Sequence, residues 1–128
     1  MPELREVAAV FVAGGFGAAA RLVLSTLIDE HGARVPHLGT LVVNLVGCLA
    51  IGLLAAVIPR GPWRTIFGAG LLGGFTTYSA FALIGFESLA SGRWAVTAGQ
   101  CAAHLFGGIA AVALGAYIGG LLSPPSAT

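Results

Sequence analysis

The chain contains no lysine, and its charged residues, six arginines and five acids, amount to 9% of 128 positions. Soluble domains usually carry about 25% charged residues, so the polar shell that would hold a compact monomer in water is missing. The formal net charge of +1 also excludes the basic excess that draws a protein to nucleic acid or to anionic headgroups. Acids are scarce and badly placed for chemistry: Glu3 and Glu6 open the chain, Asp29 and Glu30 sit together, and Glu87 stands alone. No nucleophile, base and orienting acid can be assembled from them, and neither metal-ligand spacing nor a phosphate-cradling glycine loop occurs, so the chain does not read as an enzyme. The two cysteines, Cys48 and Cys101, fall inside apolar stretches, which reads as small core residues rather than a disulfide or metal pair.

What is abundant is apolar. Hydrophobic residues make up 57% of the sequence, the mean hydropathy is +0.95, and glycine occurs 20 times. Such a chain takes the bilayer as its solvent, where glycine lets two helix backbones approach closely. Four segments reach the ~20 residues that a helix needs to cross hydrocarbon: about Val7 to Ile28, Leu38 to Ile58, Thr65 to Leu89 and Ala95 to Leu122. Glu3, Arg5 and Glu6 lead straight into the first without a basic region or cleavage site, so it is expected to remain as a span. Asp29, Glu30, His31, Gly32, Arg34 and Pro36 form the first connection, and Pro59, Arg60, Gly61 and Pro62 a tight second one. Trp63 beside Arg64, and Arg93 beside Trp94, read as interfacial anchors. Residues 123–128, rich in proline and serine, read as a disordered tail. The expectation is a single all-α membrane domain of four spans.

Four spans place the N-terminus, second connection and C-terminus on one side. Arg5, Arg60 and Arg64 lie there, and Arg21, Arg34 and Arg93 on the other, three against three. Orientation follows the excess of Lys and Arg in short loops, so a balanced count predicts insertion both ways round and an antiparallel pair of subunits. So small a chain also encloses little interior, and a solute path would need a second subunit to complete it.

Polar groups at membrane depth mark where such a path would run. Asn44, mid-span, serves either as a helix-to-helix tether or as a donor to a solute. Gly73-Gly74-Phe75-Thr76-Thr77-Tyr78-Ser79 puts two glycines and several hydroxyls in the middle of the third span. Glycine weakens the helix there, and hydroxyls can take up the backbone groups that a break releases. The freed carbonyls would suit a cation; the alternative is a continuous helix with small packing residues. Thr97, Gln100 and His104 form a polar stripe on the fourth span, where His104 is either a satisfied buried imidazole or part of a pathway. Gly70 with Gly74, and Gly115 with Gly119, match the small-residue packing spacing, at low specificity given so many glycines.

Three segments carry a resemblance: Gly14-Gly15-Phe16-Gly17-Ala18-Ala19-Ala20-Arg21, Gly39-Thr40-Leu41-Val42-Val43-Asn44, and Gly73-Gly74-Phe75-Thr76-Thr77-Tyr78-Ser79-Ala80-Phe81. In order and spacing, across all four spans, they resemble the signature motifs of the CrcB/Fluc fluoride channels. The resemblance implies a dual-topology dimer of antiparallel subunits in the inner (plasma) membrane, with a broken third helix, two narrow fluoride pores and a structural sodium ion on the twofold axis. By position it implies backbone carbonyls of Gly73 and Thr76 on the sodium. It likewise implies Asn44 as the pore amide, Tyr78 and Phe81 as the ring pair presenting edges to fluoride, and Thr77 and Ser79 as hydroxyl donors. Arg21 corresponds to the first-helix arginine beside an aqueous vestibule. The fourth-span stripe, His104 included, matches the family's polar residues there more loosely.

Three departures stand out: Tyr78 where phenylalanine is usual, Ala80 where threonine is common, and Ile84 where a glutamate is common, with Glu87 one turn too late. They leave open a homodimer, a heterodimer with a paralogue that supplies the missing polar groups, and a non-conducting subunit. A small multidrug-type exporter shares the size and topology, but needs an embedded acid in the first helix, where this chain has Arg21.

Overall fold

A computed structural model describes residue 1 and residues 3–32 and 37–123. Arg34 and Pro36 of the first connection, and 124–128 of the tail, lie outside the described residues. The described residues are all-helical, with four helices among them long and apolar enough to cross a membrane: α1 (Leu4–His31), α2 (Leu38–Val57), α3 (Pro62–Ala90) and α4 (Trp94–Leu122). At 1.5 Å rise per residue, the 28 residues of α1 reach about 42 Å, beyond the ~30 Å hydrocarbon thickness. Such a helix tilts or projects into the headgroups.

Local chemistry sets the helix ends. Asp29, near the end of α1, accepts a hydrogen bond from the Gly39 N–H at 2.7 Å, placing a carboxylate on the first turn of α2. Between α3 and α4 the chain reverses at Gly92, whose φ of 72° favours a residue without Cβ. There the Gly92 and Arg93 N–H groups return to the carbonyls of Leu89 and Ser88, closing off α3. Ser123 is tied down, not loose: its hydroxyl donates to the Ala56 carbonyl at 3.1 Å, pinning the end of α4 to α2.

The glycines explain the packing. Along the α1–α3 crossing, Gly17 lies against the backbone of Leu71 and Phe75, and Gly74 against that of Gly14. Along α2–α4, Gly52 faces Val112 and Ala116, while Gly115 faces Leu49 and Leu53. At these sites backbone meets backbone, so a methyl group has no room. Both Gly-x-x-x-Gly pairs thus lie on helix crossings. The C-terminal part of α3 (Tyr78–Ala90) instead pairs with the start of α4 (Trp94–Ala102) as a hairpin that has little contact with α1 or α2.

The lone chain has hardly any apolar core. Among the described residues the buried hydrophobic side chains are Val43 and Ile84, whereas Phe11 is 81% exposed and Tyr78 79%. A surface this apolar requires lipid or another polypeptide against it.

Candidate functional site

The third span is not one regular helix. Pro62–Thr65 is α-helical, Ile66–Leu72 is wound as π-helix, and Gly73–Phe75 returns to α. Thr76 (φ −87°, ψ 157°) and Thr77 (φ −148°, ψ 113°) then take extended backbone before α-helix resumes at Tyr78. The sequence supplies partners for the groups this releases. The Thr77 N–H donates to Asn44 Oδ1 at 2.8 Å, and Asn44 Nδ2 donates back to the Thr77 carbonyl at 3.0 Å. Thr77 Oγ1 caps the following helix by accepting from the Ala80 N–H at 3.2 Å, and lies 3.1 Å from Ser79 Oγ. Thr76 bonds back to the Leu72 carbonyl through both its N–H and its hydroxyl, each at 3.0 Å.

The consequence lies in the carbonyls. In an unbroken helix, Gly73 would accept from the Thr77 N–H and Thr76 from the Ala80 N–H. Both donors are turned elsewhere, to Asn44 and to Thr77 Oγ1. Gly74 keeps a partner by another route, because Arg21 Nε donates to its carbonyl at 3.2 Å from α1. Gly47 on α2 makes room for this geometry, since a Cβ there would collide with the Thr76 methyl group.

The break opens on a cleft of about 580 Å³ between α2, α3 and α4. Asn44, Gly73, Thr76, Thr77, Tyr78, Phe81 and His104 line it, together with apolar residues such as Ile51 and Leu105. Among the described residues, no Asp, Glu, Lys or Arg contributes to this lining. Tyr78 and Phe81 meet edge to face, with centroids 5.7 Å apart at 64°. His104 stacks on Phe81 at 4.2 Å and 29°, and its Nδ1 lies 2.9 Å from the Gln100 carbonyl. Its Nε2 is buried and has no partner among the described residues, which costs about 1–3 kcal/mol for a neutral polar group. His104 lies in a second π-helical stretch, Ala103–Gly107, and π-helical turns often occur at functional sites.

Of the residues singled out from sequence, Asn44, Gly73, Thr76, Thr77, Tyr78, Phe81 and His104 gather around this cleft. Ser79 joins through its contact with Thr77, while Arg21 reaches the break from the far side, through Gly74. Thr97 turns to α3, its hydroxyl 3.4 Å from the Gly85 carbonyl. Cys48 and Cys101 line the cleft as free thiols, half-buried and exposed, instead of filling a core. The two π-helical stretches and the role of Gly47 have no clear signature in the sequence; glycines at 68 and 70 and at 107 and 108 are the local feature that accompanies the former. Ile84 is buried in the α3–α4 hairpin away from the cleft, so its departure from the expected glutamate removes no group from the cleft lining.

Comparison with known proteins agrees in extent. The profile of the family described as CrcB-like protein, Camphor Resistance (CrcB), matches residues 8–116. The chain is similar to the fluoride-specific ion channel FluC of Gloeothece citriformis, at 34% identity over 88% of this chain and 95% of that protein. With FluC of Solibacter usitatus it shares 36% identity over 85% of this chain and 93% of that one. FluC 1 of Yersinia pestis is also 36% identical, over 80% and 84%.

Proposed function

Because the chain belongs to the CrcB-like family, we propose that it works as an antiparallel pair of subunits, with fluoride passing at the cleft beside the α3 break. The protein is a multi-pass membrane protein of the inner membrane and a fluoride channel, not an enzyme. The observation that carries the pore assignment is the make-up of the cleft. Its polar groups are an amide, hydroxyls and an imidazole set among apolar walls, with no carboxylate among the described lining residues to repel an anion.

Fluoride gives up strongly bound water on entering such a space, and each lost contact must be replaced. Asn44 Nδ2 has two N–H groups; one is committed to the Thr77 carbonyl, and the other serves the ion. The tether and donor readings of Asn44 are therefore compatible. Thr77 and Ser79 share hydroxyls at 3.1 Å, of which one proton can turn to the ion. Tyr78 and Phe81 offer ring edges, the positive rim of the aromatic quadrupole. Arg21, held on the Gly74 carbonyl, keeps a positive charge near the break and raises local anion concentration.

The pairing is supported by the exposed apolar surface and by the balanced arginine count. Sodium fits the donor set: the carbonyls of Gly73 and Thr76 have lost their helical N–H partners, and hard oxygen ligands suit a hard cation. With the equivalent carbonyls of a second copy they would hold the ion, which would supply a positive tie between two breaks. The burial of Ile84 outside the cleft favours two copies of this chain over a pairing with a paralogue.

The test is fluoride efflux from liposomes containing the purified chain alone, with chloride as control anion. Rapid efflux of fluoride and not chloride is expected. Silence from the pure chain, restored by a paralogous subunit, would replace the homodimer by a heterodimer, and equal fluoride flux in Asn44→Ala and Phe81→Ile would overturn the pore assignment.

A further inference from the structure

We propose that Gly47 is a positioning residue for the sodium ion: by giving room to the Thr76 side chain, it fixes the peptide unit whose carbonyl meets the cation. The inference rests on the sodium reading above and adds to it a residue of α2 that supplies no ligand. Gly47 is buried in α2 one turn after Asn44, and residues three apart share a helix face. From that face Asn44 bonds to both backbone groups of Thr77, while Gly47 lies against the methyl group of Thr76. The two residues that leave helical geometry are thus each held by one residue of α2.

Thr76 has no slack of its own. Its N–H and its hydroxyl both return to the Leu72 carbonyl at 3.0 Å, and its methyl group takes the space that a Cβ at position 47 would fill. Carbon atoms rest about 3.5–4.0 Å apart, so such a Cβ would force the methyl group back by about 1 Å or more. Turning χ1 gives no escape. One of the other two staggered positions swings the hydroxyl onto residue 47, and the other sets the methyl group where the hydroxyl now meets the Leu72 carbonyl. Either way the backbone has to move. The next atoms around the notch, Phe75 Cδ1 and Thr76 Cβ, stand at 3.6 Å from that Cβ, an ordinary contact, so the obstacle is the methyl group.

The backbone that moves carries the ligand. The Thr76 carbonyl and the Thr77 N–H belong to one trans peptide unit, a rigid plane in which the two point in opposite directions. Asn44 Oδ1 accepts from that N–H at 2.8 Å, so the carbonyl points away from Asn44. It has also lost its helical partner, because the Ala80 N–H bonds to Thr77 Oγ1. Asn44 therefore holds the far edge of the plane, and the Thr76 side chain, seated on Gly47, holds its start. Metal–oxygen distances tolerate only a few tenths of an ångström, and a shift of about 1 Å or more, set by the carbon contact, takes the carbonyl out of reach.

The experiment titrates sodium against N-methylglucamine at constant ionic strength and scores the dimer fraction of the full chain on native gels, well below the thermal transition. The native chain is compared with Gly47→Ala, Thr76→Ser and the double variant. Gly115→Ala serves as a destabilised reference, since its clash with Leu49 and Leu53 lies on the α2–α4 crossing. Gly47→Ala should need about 10- to 100-fold more sodium for half of its dimer, the scale of one lost contact to a charged group. That effect should vanish in the Thr76→Ser background, where no methyl group stands in the way. Gly115→Ala should lower the melt and leave the sodium half-point alone. A native half-point in Gly47→Ala, a shift that persists without the Thr76 methyl group, or an equal shift in Gly115→Ala overturns the inference. Should Gly47→Ala yield no folded protein, the double variant decides: a half-point equal to that of Thr76→Ser supports the inference, and failure to fold overturns it. A native dimer indifferent to sodium at every concentration overturns the sodium reading itself, and this inference with it.

Discussion

Asn44→Ala removes both bonds to Thr77, the one accepted at 2.8 Å and the one donated at 3.0 Å. Each stranded backbone group costs about 1–3 kcal/mol when buried. Thr77 is only half-buried, so the low end applies, and the pair together should destabilise the chain by about 2–3 kcal/mol. That loss is readable as a drop of several degrees in the thermal transition of the detergent-purified protein. Flux, measured well below the transition and normalised to folded protein, should fall further than stability alone requires. A lost hydrogen bond to a charged group is worth about 1.5–3 kcal/mol, which corresponds to roughly 10- to 100-fold in rate. Asn44→Asp separates the two duties of the side chain: it keeps an oxygen for the Thr77 N–H and turns the ion's donor into an acceptor. Its flux should lie below that of Asn44→Ala. A residue that merely tethers would rank the two the other way, and that order, or flux within twofold of native in Asn44→Ala, would refute the donor role.

Further expectations follow from the same geometry. Gly115→Ala puts a Cβ against the Leu49 carbonyl and 2.9 Å from Leu53 N; it should destabilise the chain by about 1–3 kcal/mol, whereas Gly120→Ala, with nothing within 4 Å, should be neutral or slightly stabilising in the same melt. Arg21→Gln loses the charge on the Gly74 carbonyl; flux should drop and its dependence on ionic strength flatten, and an unchanged salt profile would reduce Arg21 to a structural tie. Replacing sodium by a bulky organic cation should weaken dimers on native gels and silence efflux, while Thr76→Ser, which keeps the carbonyl, should respond to sodium as the native chain does.

Some of the site could be read before the fold was known. A run of apolar residues long enough to cross hydrocarbon is a one-dimensional property, so the four spans need no knowledge of contacts. The same holds for the glycine and hydroxyl cluster at residues 73–79, since weak helix propensity and competing side-chain bonds act locally. The glycine pairs at 70 and 74 and at 115 and 119 were ambiguous, because spacing cannot tell a chance match from a crossing; their neighbours Gly14 and Leu49 on other helices decide it. The π-helical stretches 66–72 and 103–107 were not legible, because an extra residue per turn is stabilised by packing from other helices and leaves no fixed pattern.

By itself, then, the amino-acid order determined a chain that belongs in a bilayer, crosses it four times, and carries its polar residues at a few depths. Tertiary structure alone decided which of those residues meet. Asn44 finds Thr77 across 33 positions, Arg21 finds Gly74 across 53, and His104 lies on Phe81 with one nitrogen satisfied and one bare. The physical reason is that hydropathy is additive along the chain, whereas a hydrogen bond depends on distance and angle to within tenths of an ångström. Those are set by where helices cross, and the crossings depend on every backbone-to-backbone contact that the glycines permit.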